Sequence, residues 1–463
     1  MRIAVISVAP VFPNFVIGGS QKILSDVAVG LQRAGHETQI WCTSSPVHSG
    51  DFEIDGITIH PDLKLRGSFP ATHQVSPVQL QQTADALRLA ADWADRVYLH
   101  ADAVYLRHAI EGAEIIRSIH DYVYEEALLS TLTLPASATI VPSQYLKNCI
   151  EATVAISGRS SIEPVVVVPN GVQVAQGRQE PRLPNGVNAR GSNDLLLLFP
   201  HRPEPTKGTR EAISTAVEVQ RLTPARNVRL LMPAYPVGSH LDDSAGSTVE
   251  IQRTIEELGA ESIVELHSWL SPDEMPRYLA AGDVALCLGS FVESFGLVPV
   301  ESVISGTAVV CVRVGALREF ADIDGVTMVA YGDIHAAAEA VLSASQLDSQ
   351  VLNSGRSQVS VRYGYQQMID GYESIITGTL SPARPIVRPE GDFFELAPWC
   401  DVQSDSIYDD YTAESREFPE LIRELQLNEN RVSSDVMTSN PLLADEIAEA
   451  ETLGILNPKF DIE

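Results

Sequence analysis

Short apolar runs of strand length alternate along this chain with amphipathic segments in which apolar residues recur every three or four positions. The first unit is a predicted strand at 3–9, a loop at 10–19 that contains glycine, and a helix at 20–35. Further strand-like runs follow at 37–43, 96–99, 114–119, 138–142 and 165–168. Runs that are apolar throughout are typical of strands buried on both faces, so the series predicts a doubly wound parallel sheet.

The composition changes at 173–193, which is rich in Gln, Asn, Arg, Gly and Pro and shows little apolar periodicity, as expected of an interdomain linker. A second alternating series begins after it, with strand-like runs at 195–199, 228–232, 263–266, 284–288 and 308–312. We therefore expect two α/β domains, at 1–172 and 194–357, followed by one helix at 358–378.

The last segment, 379–463, is strongly acidic, with 6 Lys or Arg against 19 Asp or Glu. It also contains apolar clusters around Phe393, Ile407, Leu421 and Ile447, which are enough for a small core of its own. We expect a folded acidic extension rather than a disordered tail.

The totals exclude several classes of function. The chain of 463 residues has a formal net charge of -29 and a sequence pI near 4.7. Nucleic acids and anionic membrane surfaces are bound through lysine and arginine, so neither is an expected partner. The five cysteines include no C-x-x-C pair, which indicates neither a zinc site nor a disulfide framework and favours a reducing cytoplasm. No apolar run approaches the roughly 18 residues of a membrane span.

The stretch 290–301 combines two carboxylates, Glu293 and Glu301, with a glycine turn at Gly296. Pro299 suits the first turn of a helix, where the N–H that proline lacks would have no partner. Glu293 is then expected before the helix and Glu301 within it. The backbone N–H groups near Gly296 would lie at the positive end of the helix dipole, which favours a phosphate. This stretch alone leaves open the alternative of an ordinary turn with two solvated glutamates.

Other candidate residues follow predicted strands, and ligands of α/β sheets gather at the carboxyl ends of strands. Gly18 and Gly19 follow the first strand, His120 follows the strand at 114–119, and Arg202 and Lys207 follow the first strand of the second series. The glycine pair lacks the full dinucleotide fingerprint, which argues against a dehydrogenase.

In their order along the chain these motifs resemble those of retaining nucleotide-sugar glycosyltransferases with the GT-B fold, and more closely family 4 of that class. The resemblance covers about residues 1–378 and is carried by 18–21, 119–121, 168–172, 202–208 and 293–301. It implies two Rossmann-like domains facing a cleft. The first would bind the acceptor and the second the donor, and the helix at 358–378 would cross back to the first domain. The Pro200-His201-Arg202 start of the phosphate loop differs from the more usual glycine-arginine.

The resemblance also implies a role for each candidate. Arg202 and Lys207 would neutralise the departing nucleoside diphosphate, and helix N–H groups would add to this charge stabilisation. Those groups belong to Ser294, Phe295, Gly296 and Leu297. Glu293 would accept hydrogen bonds from the donor sugar and Glu301 from the ribose.

Further roles follow from the same resemblance. His120 would lie beside the donor sugar, Gly18 and Gly19 would let the backbone approach phosphates or acceptor, and Trp269 would mark backbone contacts to the base. Ordinary alternatives stay open for each: a strand-ending polar residue for His120, a helix-start turn for Gly19, solvated charge for Arg202 and Lys207, and core packing for Trp269.

The implied reaction transfers a sugar from a nucleoside diphosphate sugar to the hydroxyl of a sugar, natural product or peptide, with retention of configuration. The 11 histidines form no ligand-spaced cluster, and the resemblance implies neither metal nor cofactor beyond the donor. The alternatives are a GT-B nucleotide-sugar epimerase and a non-catalytic donor-binding or scaffolding protein. The acidic extension loosely resembles small winged-helix modules. Its open roles are recruitment of an acceptor or partner protein, and a packing appendage or homodimer arm.

Overall fold

The computed structural model describes residues 1–11, 19–44, 50–65, 75–100, 107–121, 125–173, 180–234 and 248–463. These residues form two compact units. Unit 1 consists of Met1–Gly171, Gln366–Tyr411 and Ser415–Glu463, and unit 2 consists of Val172–Tyr365 and Thr412–Glu414.

The N-terminal part of unit 1 is an alternating α/β series. Its elements are β1 Arg2–Ser7, α1 Gly19–Arg33, β2 Glu37–Thr43, β3 Phe52–Ile54, β4 Ile57–Leu63, α2 Pro77–Trp93, β5 Arg96–Leu99, β6 Ile115–Ser118, α3 Glu125–Thr133, β7 Ala138–Val141, α4 Gln144–Ile156, β8 Ser161–Ile162 and β9 Val165–Val167. Eight of these strands form one sheet in the order β3-β4-β2-β1-β5-β6-β7-β9. All neighbouring pairs are parallel except β3 with β4. The predicted parallel sheet is therefore present. Its apolar central strands are buried on both faces, as is usual for parallel sheets.

The hairpin β3–β4 adds to the predicted elements, because no strand was predicted between 43 and 96. Asp55 and Gly56 have φ values of 50° and 77°, as in the two-residue hairpin turn that Asp-Gly favours. Ile57, Ile59, Pro61 and Leu63 of β4 are buried, while Thr58, His60 and Asp62 between them are partly exposed. This alternation over so short a run was the signal that the sequence interpretation missed.

Unit 2 repeats the α/β pattern. Its elements are β10 Asp194–Leu198, α5 Thr209–Leu222, β11 Asn227–Pro233, α6 Thr248–Glu257, β12 Val264–His267, α7 Met275–Leu279, β13 Val284–Cys287, α8 Leu297–Ser305, β14 Ala308–Val312, β15 Val326–Val329, α9 Ile334–Ala344 and α10 Ser349–Arg362. Short 3-10 helices lie at Pro205–Lys207 and Gly315–Phe320. Six parallel strands are ordered β12-β11-β10-β13-β14-β15.

The single helix predicted at 358–378 is wrong in its extent. The structure has α10, which ends at Arg362, and a separate helix, α11, at Tyr365–Thr377. Between them Tyr363 and Tyr365 exchange backbone hydrogen bonds with Val172, and Gly364 forms a β-bridge to it. The backbone of this segment therefore forms an isolated β-bridge with Val172 instead of continuing the helical ladder. Most of α11 belongs to unit 1, where Ile369 packs against Gly30.

The acidic extension is folded. Its elements are β16 Arg384–Val387, β17 Phe393–Leu396, β18 Cys400–Val402, β19 Ile407–Asp409, β20 Glu414–Arg416, α12 Pro419–Leu427, β21 Arg431–Ser433, α13 Pro441–Thr452, β22 Leu456–Pro458 and β23 Asp461–Ile462. A core of its own includes Ile407, Leu421 and Ile447. Strand β16 pairs with β8, and the Tyr145 hydroxyl donates to the buried Asp410 carboxylate at 2.7 Å. The extension is therefore built onto the rest of unit 1.

Among the described residues, no helix is both long and apolar enough to cross a membrane. All five cysteines are buried, and none of them forms a disulfide within the described residues.

Candidate functional site

The candidate site of unit 2 lies where its strand order reverses. The chain runs from β10 outward to β11 and β12, then returns to place β13 on the other side of β10. Ligands of open α/β sheets bind at such a switch point, outside the carboxyl ends of the two strands. The segment with Arg202 and Lys207 follows β10, and the segment with Glu293 follows β13. The fold therefore brings together two motifs that are separated by more than 80 residues.

Two glycines let these segments touch. Gly208 has φ +88°, and a Cβ added there would lie 2.5 Å from the backbone N of Gly289. A Cβ added to Gly289 would lie 2.2 Å from the carbonyl oxygen of Thr206. The backbone N–H of Phe291 donates to that same oxygen at 2.8 Å. Both positions therefore require glycine for the close approach.

Lys207 and Glu293 form an ion pair across this contact. Lys207 Nζ donates to Glu293 Oε1 at 2.7 Å, and the two side chains are 12% and 22% exposed. Lys207 Nζ also lies 3.5 Å from the ring centroid of Phe291, a cation–π contact. A charge-assisted bond in so sheltered a position is stronger than a surface ion pair. The alternative of two solvated glutamates is thus wrong for Glu293.

The Glu293 carboxylate is held in its charged form. Burial by itself would raise its pKa, but the charge and hydrogen bond of Lys207, together with His201 and Arg202, lower the pKa below its ordinary value. His201 Nε2 lies 3.1 Å from the carbonyl oxygen of Leu286 in β13 and donates to it. His201, at the position where the sequence departs from the usual glycine, therefore contributes to the site.

The backbone of Glu293 is fixed as well. Its carbonyl oxygen accepts the N–H of Ala316 at 2.8 Å. A Cβ on the neighbouring Gly315, which has φ +54°, would lie 2.7 Å from that oxygen. The pair with Lys207 and this backbone contact hold Glu293 from two sides.

Helix α8 begins immediately after this segment. Gly296 precedes it with φ +89°, and a Cβ there would lie 2.6 Å from Leu317 Cδ2. Pro299 is the third residue of the helix, still within the first turn, where backbone N–H groups have no partner inside the helix. The dipole and these N–H groups favour an anion at this end.

The remaining predicted residues of unit 2 differ in what their side chains do. Arg202 is partly exposed, and one guanidinium nitrogen lies 3.3 Å from Glu204 Oε1. The Phe295 ring is buried in edge contacts with Phe320 and Tyr363, so only its backbone is available to a ligand. Ser294 is buried just before α8, and Leu297 and Glu301 are partly buried within it. Trp269 follows β12 and is partly buried.

Unit 1 has a corresponding switch point between β1 and β5, and a cluster of neutral polar groups lies there. His100, just after β5, donates from Nε2 to the Ser20 carbonyl oxygen at 2.8 Å. Its Nδ1 lies 2.8 Å from the Tyr98 hydroxyl and, with Nε2 protonated, accepts from it. The His120 ring lies against His100, with centroids 4.6 Å apart. The Tyr372 hydroxyl of α11 lies 3.3 Å from His120 Nε2.

Burial keeps both histidines neutral. His100 and His120 are 2% and 4% exposed. Burial lowers the pKa of His100 to about 4. Burial, followed by the charge that His100 would carry, lowers the pKa of His120 well below its ordinary value. The His120 imidazole can therefore accept or donate hydrogen bonds at neutral pH but carries no positive charge there.

Sequence reasoning nominated His120 but missed His100, Tyr98 and Tyr372. The available signal was the pair Tyr98 and His100 at the end of β5. This strand is the neighbour of β6, which leads to His120. Gly19 is the exposed first residue of α1, and Gly18 lies outside the described residues. In unit 2 the missed residues are His201, Phe291 and Gly289.

Two family models match consecutive parts of the chain. Glycosyltransferase Family 4 matches residues 17–176, and Glycosyl transferases group 1 matches residues 201–346. Both α/β series of the chain are therefore similar to glycosyltransferase domains. The Lys207 and Glu293 segments both lie within the group 1 match, and the histidine cluster at β5 lies within the family 4 match.

Curated relatives align over part of the chain. The lipopolysaccharide 1,2-N-acetylglucosaminetransferase of Salmonella typhimurium is 27% identical over 190 residues, 41% of this chain and 47% of that protein. The MMP alpha-(1->4)-mannosyltransferase of Mycolicibacterium hassiacum is 34% identical over 166 residues, 36% of this chain and 35% of that protein. The chain thus spans less than half the length of these two relatives.

Solved structures show the same fold over most of the chain. Sucrose-phosphate synthase from Thermosynechococcus elongatus superposes with a TM-score of 0.61 at 16% identity, covering 80% of this chain and 96% of that one. Anabaena HepE, in complex with UDP and glucose, gives 0.60 at 18% identity and covers 80% and 98%. The predicted GT-B architecture is confirmed.

Proposed function

We propose that the chain transfers a glycosyl group from a nucleoside diphosphate sugar to an acceptor hydroxyl, with retention of configuration and without a metal ion in the reaction. The observation that carries this proposal is the ion pair of Lys207 with Glu293 at the switch point of unit 2. Arg202 and the start of α8 lie in the adjoining segments. Cations and helix N–H groups suit a diphosphate, while a fixed carboxylate suits sugar hydroxyls.

The chemistry we infer needs no side-chain nucleophile. The bond between the anomeric carbon and the β-phosphate oxygen breaks as the acceptor oxygen bonds to the same face of that carbon. The acceptor proton passes to the departing phosphate. Lys207, Arg202 and the α8 N–H groups stabilise the negative charge that grows on the diphosphate, which is the charge a divalent ion would otherwise neutralise.

The Glu293 carboxylate orients the sugar in this proposal. One of its oxygens pairs with Lys207, which leaves lone pairs on the other oxygen for hydroxyl donors. Its lowered pKa keeps it an acceptor at neutral pH. Glu301, inside α8, is assigned to the ribose hydroxyls. In unit 1 we assign His120 to the donor sugar as a neutral hydrogen-bonding group.

The donor is tested first by thermal shift with UDP-, GDP-, ADP- and dTDP-sugars, because a ligand that binds the native state raises its melting temperature. UDP-sugars head the panel, since Anabaena HepE was solved with UDP and glucose. Transfer to an acceptor panel is then followed in the presence of a chelator, and NMR of the product reports the anomeric configuration.

Variants test the assigned site. Lys207→Ala and Glu293→Ala are expected to lose transfer activity by two orders of magnitude or more. Arg210→Ala is the matched control, because Arg210 lies three residues beyond Lys207 and pairs with Glu257 at an exposed position. Full transfer rates for both site variants with every accepted donor would show that the assignment is wrong.

Two alternatives give different results in the same experiments. An epimerase would convert the sugar of the donor when no acceptor is present, whereas the proposed transferase shows only slow hydrolysis. A non-catalytic binding protein would be stabilised by a donor but would turn over none of the acceptors.

We also infer that the acidic extension binds the acceptor or a partner protein, because it is joined to unit 1 by a strand pairing and a buried hydrogen bond. Leu427 and Leu442 are 73% and 69% exposed on its helices. Glutamate at these positions should weaken acceptor binding or change the oligomeric state. If acceptor KM and molar mass stay the same in both variants, the inferred role is wrong.

A further inference from the structure

We propose that the β3–β4 hairpin holds a divalent metal ion between Asp51, His60 and Asp62. The site is distinct from the switch point of unit 1, since β3 and β4 lie at the far edge of the sheet. It rests on the geometry of the hairpin and not on the proposed transferase reaction.

The hairpin register brings the three side chains together. Phe52 pairs with Ile59 across the antiparallel strands, so Asp51 comes opposite His60. Asp62 is two residues further along β4 and points to the same face. One ligand atom from each of the three residues lies within 4.8 Å of the others.

The orientation of the His60 ring favours a cation at Nδ1. Nε2 lies 2.9 Å from Gln39 Oε1 and therefore carries the proton that it donates. The neutral ring then presents the lone pair of Nδ1, which lies 3.2 Å from Asp51 Oδ1. Two acceptors at this separation repel each other unless a cation lies between them.

The distance suits a metal. Zn²⁺ binds imidazole nitrogen and carboxylate oxygen at about 2.0 Å in tetrahedral geometry, which places two ligand atoms about 3.3 Å apart. The ring is also held in place, because it stacks on Trp41 with centroids 4.7 Å apart. A histidine whose other nitrogen is hydrogen-bonded and whose plane is fixed is the usual form of a zinc ligand.

The charges point the same way. Two carboxylates, those of Asp51 and Asp62, face the His60 ring, and their side chains are 59% and 47% exposed. Lys64 Nζ lies 3.9 Å from Asp62 Oδ1. A divalent ion would neutralise both carboxylates, and water would complete the coordination. Nitrogen with carboxylate oxygen suits Zn²⁺ or a similar first-row ion. Such an ion would clamp the start of β3 to β4.

The experiment titrates the metal-free chain with Zn²⁺ by calorimetry and counts bound zinc by elemental analysis after gel filtration. His60→Gln and Asp62→Asn should each weaken one site at least tenfold and reduce the count by one. His335→Gln is the control, because both ring nitrogens of this exposed histidine face carboxylates, those of Glu218 and Glu339, and the three do not converge on one point.

Folding is checked without metal, where wild type and variants should melt within a degree or two of one another. Added Zn²⁺ should raise the melting temperature of the wild type more than that of His60→Gln. If the His60 and Asp62 variants bind as much zinc as the wild type, or if His335→Gln loses as much as they do, the proposal is wrong.

Discussion

Gly208 allows a sharp test of the close contact that builds the unit 2 site. The comparison is between Gly208→Ala and Gly306→Ala, because these glycines have nearly equal φ values of +88° and +90°. A left-handed backbone costs an alanine about 1–2 kcal/mol at either position. The two differ in their surroundings: nothing lies within 4 Å of an added Cβ at Gly306, whereas at Gly208 backbone atoms of Leu288 and Gly289 lie at 2.6 and 2.5 Å.

The added crowding can be converted into an expected effect. Carbon atoms are in favourable contact at about 3.5–4.0 Å, so the two segments must separate by about 1 Å. Forcing a group into a packed site costs about 1–3 kcal/mol, which brings Gly208→Ala to about 2–5 kcal/mol against about 1–2 for the control. The same movement would stretch the 2.7 Å bond from Lys207 to Glu293 beyond the usual limit of about 3.2 Å.

The assays are urea unfolding of both variants, donor binding, and transfer kinetics. Gly306→Ala should lose stability but keep donor binding and kcat. Gly208→Ala should lose more stability and also about a hundredfold in transfer, as expected of a 1 Å misplacement near the reacting groups. Equal stability and equal activity of the two variants would refute the argument that the glycine contact positions Lys207.

Three further predictions test other charged or buried groups. Lys207→Met removes the main charge that lowers the pKa of Glu293, so the acid limb of the pH–rate profile should move to higher pH; an unmoved limb would contradict the ion pair. Because burial lowers the pKa of His100 to about 4, the folded state resists its protonation and stability falls by about 1.4 kcal/mol per unit as the pH drops from 6.5 to 4. His100→Gln should remove that part of the slope in urea titrations, and a slope equal to that of the wild type would refute its burial as a neutral ring. Tyr145→Phe takes one donor from the buried Asp410 carboxylate and should cost about 1–3 kcal/mol, measured by urea unfolding and seen as faster proteolysis of the extension, with unchanged stability as the contrary result.

Much of the fold follows from local pattern. Strands such as β5 and β14 have the predicted bounds, because each is a mostly apolar run that is followed directly by a polar residue. The β3–β4 hairpin was missed for the opposite reason. Its strands are short and half exposed, and only the Asp55-Gly56 turn and the alternation of apolar residues in β4 indicate it. The break between α10 and α11 depends on pairing with Val172, which lies far away in sequence.

The site was predictable as a set of residues but not as a geometry. Lys207 and Glu293 were assigned separate roles, on phosphate and on sugar, yet the structure pairs them directly. That pairing requires β10 and β13 to lie side by side in the sheet. Local sequence patterns do not predict which strands are neighbours. The same holds for Gly289, whose need for glycine arises only from the approach of the Thr206 carbonyl.

The two switch points have opposite electrostatic character. At the unit 2 point the groups are ionic, with Lys207 paired to Glu293, Arg202 lying near Glu204, and all of them partly open to solvent. At the unit 1 point the groups are neutral, because burial keeps His100 and His120 unprotonated among tyrosine and serine hydroxyls. Ionic groups suit a diphosphate, and neutral donors and acceptors suit hydroxyls. Under the proposed transfer reaction, exposure at the unit 2 point fits a diphosphate, and burial at the unit 1 point fits uncharged hydroxyls.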